Sequence, residues 1–164
     1  MDFRPIEQED MKYVWAAYKK GQLSSMGGKW ADVGMQPNDF EPEFFAEVTT
    51  NYHGAWTLFA ETARGFIPVG VVLAFYSHPN PQMAPFMIIG DMVWMPWASR
   101  RNKVESAVNF FNEARKEMAF MEYAEAKYKS FFEMIARHGV MRRVGTTYNV
   151  SSNESVAIFE TRGV

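Results

Sequence analysis

The run at residues 86–95, FMIIGDMVWM, limits the fold of this chain more than any other stretch. Apolar side chains crowd it, and Asp91 is the one charged residue between Phe86 and Trp97. A strand apolar on both faces must be covered on both, which makes it central in a sheet that has helices packed against it. It leads directly into residues 96–111, PWASRRNKVESAVNFF, which pass through a cluster of positive charge. Val104, Ala107, Val108, Phe111, Ala114 and Met118 then recur at helical spacing, with Phe110 widening the stripe. A strand running into a helix N-terminus is a common place to hold a phosphate, yet this turn contains no glycine.

The remaining segments fall around this unit. FRPIEQED predicts a short strand followed by acids suited to the positive end of a helix, in which Met11, Val14, Trp15 and Tyr18 share a face and Gly21 is the stop. Residues 22–38, small, polar and glycine-containing, are expected to be a mobile loop. Asp39 is expected to cap a second helix carrying Phe44, Phe45, Val48 and Tyr52 on one face, with Pro42 in its first turn and an end near His53 and Gly54. AWTLFAET and IPVGVVLAFYS, separated by ARGF, predict an antiparallel hairpin, and HPNPQMAP a proline-rich connection. AFMEYA predicts a strand. Tyr128, Phe131, Phe132, Ile135 and Ala136 predict a helix ended by Gly139 after Arg137 and His138. VMRRVGTTYN and SVAIFET, joined around VSSNE, predict a closing hairpin. The order β-α-α-β-β-β-α-β-α-β-β implies an α+β fold, a mixed central β-sheet flanked by helices, expected as one domain over residues 1–164.

Composition narrows the chemistry. At 164 residues the chain is long enough to bury a core without metal or disulfides, and its lack of cysteine excludes disulfides, thiolate metal sites and cysteine nucleophiles. A net charge of −2 provides no general attraction to nucleic acid or to an anionic membrane, so any anion site must be local. The charged start MDFRPIEQED lacks the apolar region of a signal peptide and no window approaches a membrane span, so a soluble, non-exported protein is expected. His53, His78 and His138 lack metal-ligand spacing, and no metal is expected. Ser24, Ser25, Ser99, Ser151 and Ser152 lack a nucleophile-elbow context. Arg142 and Arg143 are too few for a nucleic-acid footprint. Trp94 and Trp97, with Met92 and Met95, are read either as core or as a contact patch.

The element order and the placement of MVWMPWASRRNKVESAV resemble the GNAT superfamily of N-acetyltransferases over essentially the whole chain. Members carry a proline shortly before an Arg/Gln-x-x-Gly-x-Gly/Ala turn and then small and apolar helix residues. Pro96, Arg100, Val104, Ser106, Ala107 and Val108 fit that frame, while Lys103 and Glu105 stand in the glycine positions. The resemblance implies a turn that binds the pyrophosphate of acetyl-CoA through backbone N–H groups at a helix start, where glycine lets the phosphate approach. Glu105 would put like charge beside it, a repulsion of about 1 kcal/mol at ~4 Å in water and several times that in a drier cleft. Asn102 and Glu105 also have the form of a capping box, so side chains are expected to take the donors a phosphate would use. Arg100, Arg101 and Lys103 are the candidate ligands should acyl-CoA bind by side-chain charge instead.

The superfamily's second motif places a tyrosine acid four residues before a helix-ending glycine, and an asparagine seven residues earlier. Ile135 and Tyr128 occupy those positions, so both roles are lost. Asp91 is the candidate general base, since a carboxylate in apolar surroundings has a raised pKa and can accept an amine proton. The alternatives are an open-face position or a bond to backbone beside a bulge at Gly90. A narrower resemblance joins WMPWASRRNKVESAVNFFNEARK and FFEMIARHGVMRRVGTTY to GNAT-fold proteins of tailed bacteriophages, some of them internal or minor virion components. It implies a binding or assembly role with a degraded acetyl-CoA site and no cofactor, in the virion or host cytoplasm. The implied partner is a phage structural protein or a host protein, and self-association is compatible with this. The alternatives are an active N-acetyltransferase using acetyl-CoA and a modulator of a host protein.

Overall fold

The computed structural model describes residues 2–19, 37–77 and 86–164. In chain order these form β1 (Phe3–Pro5), a 3-10 turn (Gln8–Asp10), α1 (Met11–Lys19), α2 (Pro37–Asn51), β2 (Gly54–Thr62), β3 (Gly65–Ser77) and β4 (Phe86–Trp94). There follow α3 (Arg100–Ala114), β5 (Ala119–Ala124), α4 (Ala126–Arg137), β6 (Arg142–Asn149) and β7 (Glu154–Glu160). The strands make one mixed sheet in the order β1-β2-β3-β4-β5-β7-β6, with β4 and β5 parallel. The α+β architecture and the element order match the sequence expectation. By its contacts the chain divides into two compact units, Met1–Ala74 with Asp91–Ser106 and Phe75–Gly90 with Ala107–Val164.

In the first unit, Met11, Val14 and Ala17 of α1 and Phe44 and Val48 of α2 bury one helical stripe each. They pack with Val71 and Leu73 of β3, Val93 of β4 and Met95, residues that alternate along their strands as one face requires. Arg4 ties β1 to this unit by donating to both oxygens of Asp10 at 2.7 and 2.8 Å. Asp10 also accepts from the Glu7 amide at 2.9 Å and from Thr57 Oγ1 at 2.7 Å. Burial pushes the Asp10 carboxyl upward, but the Arg4, Glu7 and Thr57 bonds together outweigh it and hold the group below its usual range.

The β2–β3 hairpin contains a register shift that leaves Val69 as an extra residue, with Leu58 opposite Gly70 and Phe59 opposite Pro68. Proline has no N–H to give to the ladder, so a bulge is a natural place for it. Gly70 is needed beside the bulge, because a Cβ there would lie 2.5 Å from the Trp94 ring.

Several expected boundaries move, among them the helix expected to run on to Met118, which ends at Ala114. The expected ARGF connection shortens to a two-residue turn, Ala63 and Arg64, followed by Gly65 at φ +100°, because the hairpin continues pairing to Thr62 and Gly65. The second helix begins at Pro37 rather than after an Asp39 cap, and Pro42 lies inside it rather than in its first turn. Proline suits a first helical position, since its missing N–H would find no helical partner there. Gly21, most of the expected 22–38 loop, His78 and the proline-rich connection lie outside the described residues.

The second unit is built on aromatic packing. Phe110, Phe111 and Phe120 meet edge to face at 5.2–5.8 Å, and Phe132 of α4 packs on Phe159 of β7 at 5.9 Å. The α4 helix ends at the expected glycine, with Gly139 at φ +74°. Glu160 accepts from Arg142 and Arg162, each at 2.9 Å, and the Phe120 amide donates to Thr161 Oγ1 at 2.8 Å, securing the C-terminal end.

Candidate functional site at the β4–α3 turn

The turn after β4 is held from the hairpin bulge. The Met95 amide donates to the Val69 carbonyl at 2.9 Å, and Trp97 Nε1 to the Pro68 carbonyl at 2.7 Å. Tyr13 of α1 meets the Trp97 ring edge-on at 6.0 Å. A tight turn follows, with the Ala98 amide donating to the Met95 carbonyl at 3.0 Å, and α3 opens at Arg100.

Ser99 caps the helix: its Oγ accepts from the Asn102 amide at 3.1 Å, and its carbonyl from the Lys103 amide at 3.0 Å. This corrects the expected Asn102–Glu105 capping box. Asn102 is already inside the helix, and Glu105 instead accepts from Arg101 Nε at 2.8 Å across one turn. Ser106, buried behind them, donates to the Asn102 carbonyl at 2.6 Å. Among the described residues no acceptor meets the amides of Arg100 and Arg101, the first two of the helix.

The structure brings Arg100, Arg101 and Lys103 together on this first turn. Arg100 and Arg101 are exposed and Lys103 is half-buried. The bond to Glu105 holds the Arg101 guanidinium above its ordinary value. The turn can therefore present two backbone donors and local positive charge to an anion, with one carboxylate already engaged beside them.

Asp91 is half-buried on β4 and acts on Tyr52, whose phenol is pushed up first by burial and then by the Asp91 and Glu47 carboxylates. Tyr52 also lines an open cavity of about 340 Å³ together with Pro5, Ile6, Thr49, His53 and Trp56. Helical spacing assigned Tyr52 to the core face of α2. It lies just past the helix end, its amide donating to the Val48 carbonyl at 3.1 Å, and no local signal in the sequence marks its approach to Asp91. Ser99 was detectable: a serine directly before a run of helix-forming residues is an N-cap signature.

In the second unit, Ile135 is fully buried on α4, while Tyr128 is exposed with Lys127 Nζ 4.8 Å above its ring. Among the described residues no three His, Asp or Glu side chains gather as a metal site requires, and no helix is long and apolar enough to cross a membrane.

No family model matches the chain, and no curated protein matches it. Solved structures do. The chain is similar to a chimera of the spermidine N-acetyltransferase SpeG from Vibrio cholerae and hSSAT, with 10% identity, 96% of this chain and 92% of that chain covered, and a TM-score of 0.60. It is similar to a ribosomal-protein-alanine N-acetyltransferase from Brucella melitensis, with 11% identity, 98% of each chain covered and a TM-score of 0.60. A third likeness is to a structure described as histone acetyltransferase HPA2 and related acetyltransferase from Corynebacterium glutamicum, with 14% identity, 98% and 96% coverage and a TM-score of 0.58. The chain thus has the GNAT fold, as its sequence resemblance implied.

Proposed function

We propose that this chain is a GNAT-fold protein with a degraded acetyl-CoA site, working by binding or assembly rather than by acyl transfer. The observation that carries this reading is the helix start. Ser99 already occupies the Asn102 amide, and Lys103 and Glu105 stand within the first turns of α3 where the resemblance calls for glycines. A pyrophosphate laid along that backbone would meet two side chains, one of them a carboxylate, so the residues present do not fit the cofactor in the superfamily's manner. Ile135, which has no proton to donate, supports the same reading. The resemblance of residues 94–116 and 131–148 to GNAT-fold phage proteins extends the proposal to a virion-associated component in particle or host cytoplasm, with a phage structural or host protein as partner.

Calorimetric titration with acetyl-CoA tests this. The expected result is neither micromolar binding nor a rise in Tm. Micromolar binding that disappears in the Arg100→Ala, Lys103→Ala double variant overturns it. Pull-down from host lysate, set against copy number in purified particles, separates a host-protein modulator from a packaged component.

A second reading, an acyl-CoA-dependent N-acetyltransferase, is favoured by the two unoccupied amides of Arg100 and Arg101 beside the Arg100 and Lys103 side chains. Arg100, Arg101 and Lys103 would hold the phosphates by charge, and Asp91 would take the amine proton. Acetyl transfer to an amine panel, read by mass spectrometry and lost in Asp91→Asn, would establish it in place of the first.

A further inference from the structure

The cavity of about 340 Å³ where α2 ends and β2 begins is separate from the basic turn. It borders the Gly54–Ala74 end of the β2–β3 hairpin, whereas the turn is held by Pro68 and Val69 at the bulge, where Leu58 meets Gly70. Two large rings, Tyr52 and Trp56, both half-buried, line it with Pro5, Ile6 and Ala55, and none of its described lining residues is a lysine, arginine, aspartate or glutamate. Charge reaches the cavity from behind this wall. Burial first, and then the Asp91 and Glu47 carboxylates, push the Tyr52 phenol upward, and a field that disfavours a phenolate favours a cation in the same place. Arg4, next to Pro5 in sequence, does not offset that field, because Asp10 at 2.7 Å and Glu7 at 3.4 Å already hold it.

We propose that this cavity binds a small organic cation of the quaternary-ammonium class, its methyl groups against the Tyr52 and Trp56 rings and Glu47 and Asp91 supplying the balancing charge. Aromatic faces attract a cation through their quadrupole, most strongly where water is excluded. The choice among cations follows from what the lining lacks. A metal ion or a primary ammonium is strongly hydrated and gives up its water only to carboxylates or several carbonyls, whereas a fully methylated nitrogen holds little water and needs only aromatic and apolar surface. Pro5, Ile6 and Ala55 supply the apolar part, and the volume suits one small ligand. Because the cavity is open to solvent, the affinity is in the millimolar range. A quaternary nitrogen has no lone pair to acylate, so this is a binding site rather than an acceptor site, and it stands whichever reading of the basic turn holds.

Choline and its uncharged isostere 3,3-dimethylbutan-1-ol test the proposal in parallel titrations at constant ionic strength, followed by the amide NMR shifts of Tyr52 to Trp56. Choline is expected to saturate at millimolar concentration and the alcohol to bind at least about tenfold more weakly. Trp56→Leu is expected to weaken choline binding about tenfold, and Trp56→Phe, which keeps a ring, much less. Glu47→Gln, a half-buried position outside the lining, removes charge without altering the wall and is expected to weaken choline binding about twofold with an unchanged melt. If Trp56→Leu does not fold, the Glu47→Gln result decides. Equal binding of choline and the alcohol overturns the proposal, as do choline binding indifferent to Glu47→Gln and the absence of saturable shifts at these amides. Choline shifts that vanish in the Arg100→Ala, Lys103→Ala double variant overturn it as well, by placing the ligand on the turn.

Discussion

Arg4–Asp10 and Arg101–Glu105 are both arginine–carboxylate pairs, at 2.7 and 2.8 Å, yet they have different physical consequences. The Asp10 side chain is 1% exposed and receives an amide and a hydroxyl in addition to the guanidinium, so its lone pairs are met and its field is little screened. The Glu105 side chain is 55% exposed, and water and salt screen its contact with Arg101. The first pair fastens β1, the 3-10 turn and β2. The second can open without disturbing the helix, which keeps Arg101 available as local charge on the turn. Bond length therefore says little about what an ion pair contributes; the surroundings of the carboxylate decide it.

Asp10→Ala should have the largest effect, a loss of about 3 kcal/mol in urea denaturation, because Arg4 and Thr57 would then be left without their partner. Acid should reveal the same pair. The Asp10 carboxyl titrates lower in the folded chain than in the unfolded one, so its contribution is complete above the unfolded value of about 4 and is lost as pH falls through the folded value. The stability gap between wild type and Asp10→Ala should narrow over that window and stay constant at neutral pH. Ser99→Ala should cost about 1 kcal/mol, the ordinary worth of an N-cap, with the loss localised by hydrogen exchange to the start of α3. Glu105→Gln should leave the thermal melt unchanged while strengthening any binding of inorganic pyrophosphate at low salt. Equal losses for Asp10→Ala and Glu105→Gln would break the comparison.

Much of this fold was legible because its elements obey simple periodicities. The apolar run of β4, the stripe of α3 from Val104 to Ala114 and the Gly139 stop of α4 appear where spacing predicts them, whereas Met118 lies past the end of the helix. Helix starts were harder, because Ser99 and Asn102 both suit a cap of α3 and composition does not reveal which one takes a first-turn amide. Ser99 wins where Met95 and Trp97 are already anchored to β3, a contact between segments distant in sequence. The same holds for the candidate site. Arg100, Arg101 and Lys103 cluster simply because they are neighbours on one turn, whereas the surroundings of Asp91 depend on Tyr52, contributed by a separate element.

The kink in the β2–β3 ribbon reaches further than its own hairpin. Two consecutive backbone oxygens there, on Pro68 and Val69, fix the stretch from Met95 to Trp97, the indole bond spanning 29 positions of sequence. Carbonyls do not depend on side-chain identity, so an apolar exchange at buried Val69 that conserves volume would leave both bonds in place. Adding or deleting one residue in the ribbon would instead carry both oxygens out of reach together. The basic turn could thus be re-aimed with its own sequence untouched.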